Sequence, residues 1–423
     1  MTVADEKLTE LIEEIELVDT HEHLMPEQQR LASKIDLFYL FPHYASSDLV
    51  SSGMPTKVLD MVRDPEVPLE ERWQLFEPHW KHVRTTAYGR ALILAARGLF
   101  GIHDINEETY RELSEKISRS NKAGWYRYVL KEEARIKVSL ECGGTTNVDK
   151  EFFAPVINFE AFLVPRTRGD LESLENQMGL SLHRLDDLTL ALEKSFEEQL
   201  AGGMVGVKIG LAYSRTLRFD RIPKSRAEGL FSRIRDDLGH GLSWREAKPL
   251  QDYMVHQLIG LAIKNDVPIQ IHTGIQEGNG NIITNSDPTH LINLFLEYGD
   301  ARFDIFHGSY PYCSELAVLA KNFQNVFVDM CWLHVISPTV SKRMLHEWVE
   351  TVPSNKIMAF GGDYVVVEGA YAHSRMARRI VAEVLSEKVE EGYFSREDAQ
   401  DVAVKILSEN AWDLFKLGER WKG

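Results

Sequence analysis

The chain has 423 residues, more than the roughly 250–300 at which a single core stops growing, and its 44% hydrophobic fraction supplies a substantial interior. The net charge of −16 comes from acidic residues scattered along the sequence, which argues against nucleic acid and anionic membranes as partners, since both want clustered Lys and Arg. Three cysteines (Cys142, Cys313, Cys331) without CxxC spacing argue against a disulfide framework and against a cysteine zinc site.

The opening MTVADEKLTELIEEI is acidic and amphipathic, unlike a signal peptide. No apolar run approaches the roughly 20 residues that a membrane span needs. A soluble, cytoplasmic protein is expected.

Short apolar or β-branched runs then alternate with longer amphipathic segments, the pattern of a parallel α/β sheet. Predicted strands are IELVDT (15–20), IKVSLEC (136–142), VINFEAFLV (156–164) and VGVKIG (205–210). Four more follow: PIQIHT (268–273), RFDIFHG (302–308), NVFVDMCW (325–332) and KIMAFGGD (356–363). Cys142 and Cys331 fall in strands and read as small core residues. Helical spacing fills the gaps: DDLTLALEKSFEEQLAGG precedes the fourth strand and PLQDYMVHQLIGLAIKNDV the fifth. Eight strands with intervening helices predict a (β/α)8 TIM barrel, with an open doubly wound sheet as the alternative.

Residues 24–134 separate the first two strands, too long a stretch for a structureless loop. They are expected to form a mostly helical insertion that roofs the pocket, within one barrel domain spanning 1–423. Two amphipathic helices should follow Asp363, the second opened by a Ser395–Asp398 capping box.

In such a barrel the chemistry sits at the C-terminal ends of the strands. The first strand ends in His21 and His23, after Asp19; period-two geometry puts both imidazoles on one face. The fourth carries Lys208, followed by Tyr213 and Arg215. The fifth ends in His272, the sixth in His307, the seventh in Asp329 and Trp332, and the eighth in Asp363. HxH alone is weak, because a histidine at a strand end is more often a hydrogen-bonded structural residue. Imidazoles on three strands and a carboxylate on a fourth make one divalent-metal site, with a position left for water. Lys208 fits two readings equally, a lysine paired to a neighbouring carboxylate or a carboxylated lysine bridging two metals. Asp329 reads as structural. Of the histidines in the insertion, His79, His82 and His103 read as surface or packing residues, and His43 as the substrate-contact candidate.

This order of residues resembles the amidohydrolase superfamily, and most closely its amidohydrolase-2 branch, which includes the amidohydrolase domain of nodulin/glutamine-synthetase-like fusion proteins. VKIGLAYSRTL, IQIHTG, FHGSYPYCSELAVLAKNFQNVFVD and KIMAFGGD carry the resemblance, with FHGSYPY the most specific. HYASSDLVSSGMP in the insertion is similar to uronate isomerases. The resemblance implies that His21, His23, His272 and Asp363 contact metal, and that His307 is a further ligand or polarises the substrate. Lys208 falls where some relatives bridge two metals. GGDY departs from the more usual S-D or T-D ending.

The expected activity is a metal-dependent hydrolase that opens a C–N or C–O bond, amide- or lactone-like, of a small carboxylate-bearing substrate. Asp363 would serve as base, with His307 polarising the carbonyl. Arg215, Tyr213, Arg166, His43 and Trp332 are the substrate-binding candidates. Zinc is the expected ion, with Mn or Fe as alternatives, one or two per chain. An isomerase of acidic sugars, or a decarboxylase or lyase, is the alternative on the same site; a non-catalytic barrel is a third. A homo-oligomer is compatible with the sequence.

Overall fold

In the computed structural model, which describes residues 6–237 and 239–423, eight parallel strands follow one another in sequence order. They are β1 (Leu17–Glu22), β2 (Ile136–Glu141), β3 (Phe153–Asn158), β4 (Gly206–Ile209), β5 (Ile269–Ile271), β6 (Phe303–Ile305), β7 (Val326–Asp329) and β8 (Ile357–Met358). Both faces of these strands are covered, so polar residues within them, such as Asp19, Gln270, Asp304 and Asp329, are as buried as their apolar neighbours. The ring closes beyond the short β8. Thr20 N–H donates to the Phe360 carbonyl (3.2 Å), Asp363 N–H to His21 (2.7 Å) and His23 N–H to Tyr364 (2.9 Å). The chain therefore forms a (β/α)8 barrel, and the doubly wound alternative falls.

Helices Leu185–Ala201, Trp244–Lys264, Cys313–Asn322 and Pro338–Thr351 lead into β4, β5, β7 and β8. Trp244–Lys264 starts on a Ser243–Glu246 capping box. The expected box at Ser395–Asp398 caps Arg396–Val404. The first five residues of the acidic N-terminal segment lie outside the described residues; Glu6–Glu14 is helical.

One strand is displaced from its predicted position. The run 156–164 reads as β-structure, but β3 starts at Phe153 and ends at Asn158, and Glu160–Leu163 is a helical turn. The Asn158 side chain accepts from Glu160 N–H (2.7 Å) and starts that turn. Short apolar runs do not distinguish buried strand from buried helix.

Between β1 and β2 the chain forms six α-helices, from Glu27–Ala32 to Tyr110–Arg119. Phe38, Phe41, Phe76 and Trp80 stack edge-on and face-on at their centre, with ring centroids 4.8–5.5 Å apart. Two contacts seat this layer on the barrel. Arg30 pairs with Glu368 at 2.7 Å, both side chains wholly buried, and Trp125 Nε1–H donates to the same carboxylate (2.9 Å). Glu368 opens the long helix Val367–Glu390, directly after the β8 end.

Candidate metal centre

Four imidazoles meet at the mouth of the barrel, each held by one of its two nitrogens. His21 Nδ1 lies 3.1 Å from the Gln270 side-chain oxygen, and His23 Nδ1 lies 3.3 Å from the Cys142 carbonyl. His307 Nδ1 faces the Cys331 carbonyl (3.0 Å), and His272 Nε2 the Ile275 carbonyl (2.9 Å). These partners are acceptors, so each ring carries its proton on that nitrogen and leaves a lone pair on the other. The bare nitrogens converge in pairs: His21 Nε2 and His23 Nε2 at 3.3 Å, His307 Nε2 and His272 Nδ1 at 3.0 Å. Burial depresses the basicity of all four, well below the usual range for His21 and His307 and to about 3 for His272.

The carboxylate of Asp363 sits between the two pairs. Oδ1 is 3.9 Å from His21 Nε2 and 3.4 Å from His23 Nε2; Oδ2 is 4.0 Å from His307 Nε2. Burial raises the Asp363 pKa, opposed by His23 and Lys208. Its backbone adopts a left-handed φ of 56°, and side chains from distant elements fix it there. Tyr44 OH donates to the Asp363 carbonyl. Asp19 accepts from Gly362 N–H (2.8 Å) and Glu22 from Tyr364 N–H (2.6 Å). His373 Nδ1 faces the Gly362 carbonyl (3.0 Å), and its Nε2 meets His334 Nδ1 (3.0 Å). The glycines of GGDY are required by close approach. A Cβ at Gly361 would meet Thr20 and, at 2.7 Å, Cys331; one at Gly362 would strike the Glu22 carboxylate.

This donor set fits a divalent metal. Unprotonated imidazole nitrogens facing one another at 3.0–3.3 Å have no proton to share, and a cation between them removes the repulsion. Two Zn–N bonds of roughly 2.1 Å at a tetrahedral angle place their nitrogens about 3.4 Å apart. The second-nitrogen partners are the orienting groups that metal-binding histidines use.

A cavity of about 350 Å³ opens onto the centre and is lined by His23, His272 and Asp363, together with His43, Tyr44, Cys142, Lys208, Tyr213, Asn158, Glu160 and Glu277. His43 and Tyr213, the expected substrate contacts, both line this cavity; the Tyr213 ring packs at a tilt of 55° against His272, with centroids 4.7 Å apart. Lys208 Nζ lies 3.7 Å from the centre of the Phe306 ring, and burial lowers its pKa. Trp332 backs the site without lining the cavity, edge-on to His307 (5.2 Å) and stacked on Tyr44 (4.5 Å).

The two arginines are not brought to the cavity. Arg215 is 5% exposed and pairs with buried Asp252 at 2.6 Å. Arg166 lies over the Trp244 ring (4.2 Å) and donates to the Leu242 carbonyl. The donors of Arg215 are taken up by Asp252, Gln251 and the Thr216 and Arg218 carbonyls. Cys142 departs from its expected core placement, since it lines the cavity.

Sequence reasoning missed Gln270, Tyr44 and His373. Gln270 stands two residues before His272 in IQIHT, so strand alternation already put it on the same face. Tyr44 and His373 carry no such signal, because their partners are 319 and 11 residues away.

Residues 197–417 match the profile of the amidohydrolase family, amidohydrolase-2 branch. The chain is 30% identical over 181 residues to protein FluG of Emericella nidulans; that match covers 41% of this chain and only 21% of FluG. It is 22% identical over 446 residues to the uronate isomerase of Rhizorhabdus wittichii, covering 95% of this chain and 92% of that one. The crystal structure of a uronate isomerase from Thermotoga maritima superposes with a TM-score of 0.80 at 17% identity, over 97% of this chain and 96% of that one, and so shares the fold.

Proposed function

The chain belongs to the amidohydrolase family, and from that premise we propose that it is a metal-dependent hydrolase of small substrates, opening an amide- or lactone-like C–N or C–O bond. The observation that carries this reading is the position of Asp363. Its carboxylate lies within 3.4–4.0 Å of three imidazole nitrogens and faces the cavity.

His21, His23, His272, His307 and Asp363 would hold the ion, with zinc the choice that a nitrogen-rich set favours and Mn or Fe as alternatives. When bound, such an ion brings the pKa of water toward roughly 7 and withdraws charge from a carbonyl. Asp363 would take the proton of the attacking water and deliver it to the leaving nitrogen or oxygen. Lys208, the one Lys or Arg among the lining residues, takes the role first expected of Arg215 and Arg166 and pairs with a substrate carboxylate. Should its buried amine instead capture CO2 as a carbamate, Lys208 would bridge two ions; metal analysis, at one or two equivalents per chain, separates these cases. Tyr213 and His43 hold the substrate against the imidazoles.

The test is a panel of N-acyl amino acids and lactones offered to zinc-loaded protein. Hydrolysis is expected, and Asp363→Asn should lower kcat by at least about 10²-fold, the scale of positioned acid–base catalysis, with an unchanged circular dichroism spectrum. Parental turnover in Asp363→Asn would remove Asp363 as the base.

A second reading is favoured by one observation, the end-to-end similarity to a uronate isomerase. In that case the same residues hold an acidic sugar while a base moves a proton between adjacent carbons. Aldose–ketose interconversion of uronates, with no turnover of amides or lactones, would replace the hydrolase by the isomerase.

A further inference from the structure

One potential donor at the cavity has no role in the metal centre described so far. Cys142 follows the last residue of β2, and its main chain is pinned on both sides. Its N–H donates to the Glu22 carbonyl (2.9 Å), and its own carbonyl is the group that orients His23. The next N–H, of Gly143, returns to the Glu141 carboxylate (2.8 Å). A Cβ at Gly143 would stand 2.5 Å from Glu141 Oε1, so the carboxylate packs closely over this turn. The thiol is left at the cavity wall, in no disulfide and with no hydrogen bond among the described residues. Its sulfur and a ring nitrogen from each of His21 and His23 all lie within 4.8 Å of one another.

We propose that Cys142 is a thiolate ligand of the ion held by His21 and His23, so that the β1–β2 end of the centre is a two-nitrogen, one-sulfur donor set. The proposal rests on the metal reading above. On binding, the S–H bond breaks and the proton leaves to solvent as the sulfur–metal bond forms. A sulfur donor shifts the preference of the site from Mn and Mg toward Zn, Co and Cd.

Cys331 is the competing sulfur, within 4.8 Å of donor atoms of His307 and Asp363. It is wholly buried and packed so tightly that a Cβ on Gly361 would stand 2.9 Å from its sulfur, and it does not line the cavity. We assign it to packing.

The experiment is the absorption spectrum of the full chain loaded with one equivalent of Co2+. The expected result is the visible ligand-field bands of bound cobalt together with a near-ultraviolet sulfur-to-cobalt charge-transfer band. Cys142→Ser and Cys142→Ala should lose the charge-transfer band while keeping the ligand-field bands; Cys331→Ser should keep both. By chelator competition, Cys142→Ser should lower the affinity for Cd2+ relative to Mn2+ by about tenfold or more, the scale on which even groups behind the ligands act. In the parent chain, where folding of a variant is not at issue, Zn2+ should protect Cys142 from alkylation by iodoacetamide. Bound cobalt without the charge-transfer band, a band that survives Cys142→Ser, or alkylation unaffected by Zn2+ overturns the thiolate and leaves the histidine–aspartate centre standing. A chain that binds no cobalt overturns both.

Discussion

Single residues in the second layer decide how well the imidazoles point. Gln270 accepts from His21 and donates to the Thr20 carbonyl (2.8 Å) and to Asp304 (3.3 Å). Gln270→Leu removes the acceptor of the His21 N–H and the donor to the Thr20 carbonyl. It is expected to weaken metal binding by about 10–100-fold, measured by chelator competition. Glu141 is a different case. Burial raises its pKa from 4.5 to about 7, against the pull of Gly143 N–H. Between those pH values the folded protein holds a proton that the unfolded chain has released, so this group's contribution to stability is lost as pH rises toward 7. Glu141→Gln keeps an acceptor for Gly143 and removes the titration. Its melting temperature should match the parent below pH 4.5 and exceed it above pH 7; equal curves throughout would show that Glu141 does not titrate in this window. At this scale the four imidazoles and the carboxylate that meet at the barrel mouth are the most legible part of the sequence, because alternation and strand ends mark them. Arg215 was not legible: nothing in YSRTL announces Asp252, 37 positions on, as its buried partner.

Among the elements, the seam between β8 and β1 matters most. It is built from backbone bonds between β1 and residues 360–364 together with β1 side chains that reach the backbone of Gly362 and Tyr364. This accounts for the unusual GGDY ending, since both glycines stand where β1 and the end of β7 approach too closely for any side chain. Gly361→Ala is expected to destabilise by about 1–3 kcal/mol, the range for overpacking a filled core. It should also reduce bound metal per chain, because the displaced turn carries Asp363. Urea denaturation and metal analysis on one preparation read both effects; full metal content in a destabilised variant would break the link between seam and site. All eight strands were legible in order, since fully buried parallel strands show as isolated apolar runs. The β3 boundary was not, because FEAFLV is equally apolar whether it runs as strand or turns as helix, and a side-chain hydrogen bond at Asn158 decides.

Across the whole molecule, the layer between β1 and β2 and the helix after β8 act as one clamp around Glu368. Its carboxylate meets Arg30 and the Trp125 N–H with no water access. Glu368→Ala strands a buried guanidinium, at a cost of about 3–5 kcal/mol, read from the urea midpoint. Limited proteolysis should then cut first within residues 24–134. Cleavage confined to other segments would mean that the layer is anchored elsewhere. Length and helical spacing revealed that this layer exists. Its docking on the barrel did not show in the sequence, because Arg30 and Glu368 are 338 positions apart and look like ordinary surface charges.

The seam also has a bearing on how the protein is made. A growing polypeptide exposes His21 first and His307 much later, so all four imidazoles exist well before translation ends. The backbone bonds that shut the ring, and the carboxylate between the imidazole pairs, arrive only with residues 360–364. On the metal reading proposed above, competence to load the ion would be acquired at the last strand, and a ribosome stalled ahead of Asp363 should display a chain that takes up no zinc stably while released full-length chains do.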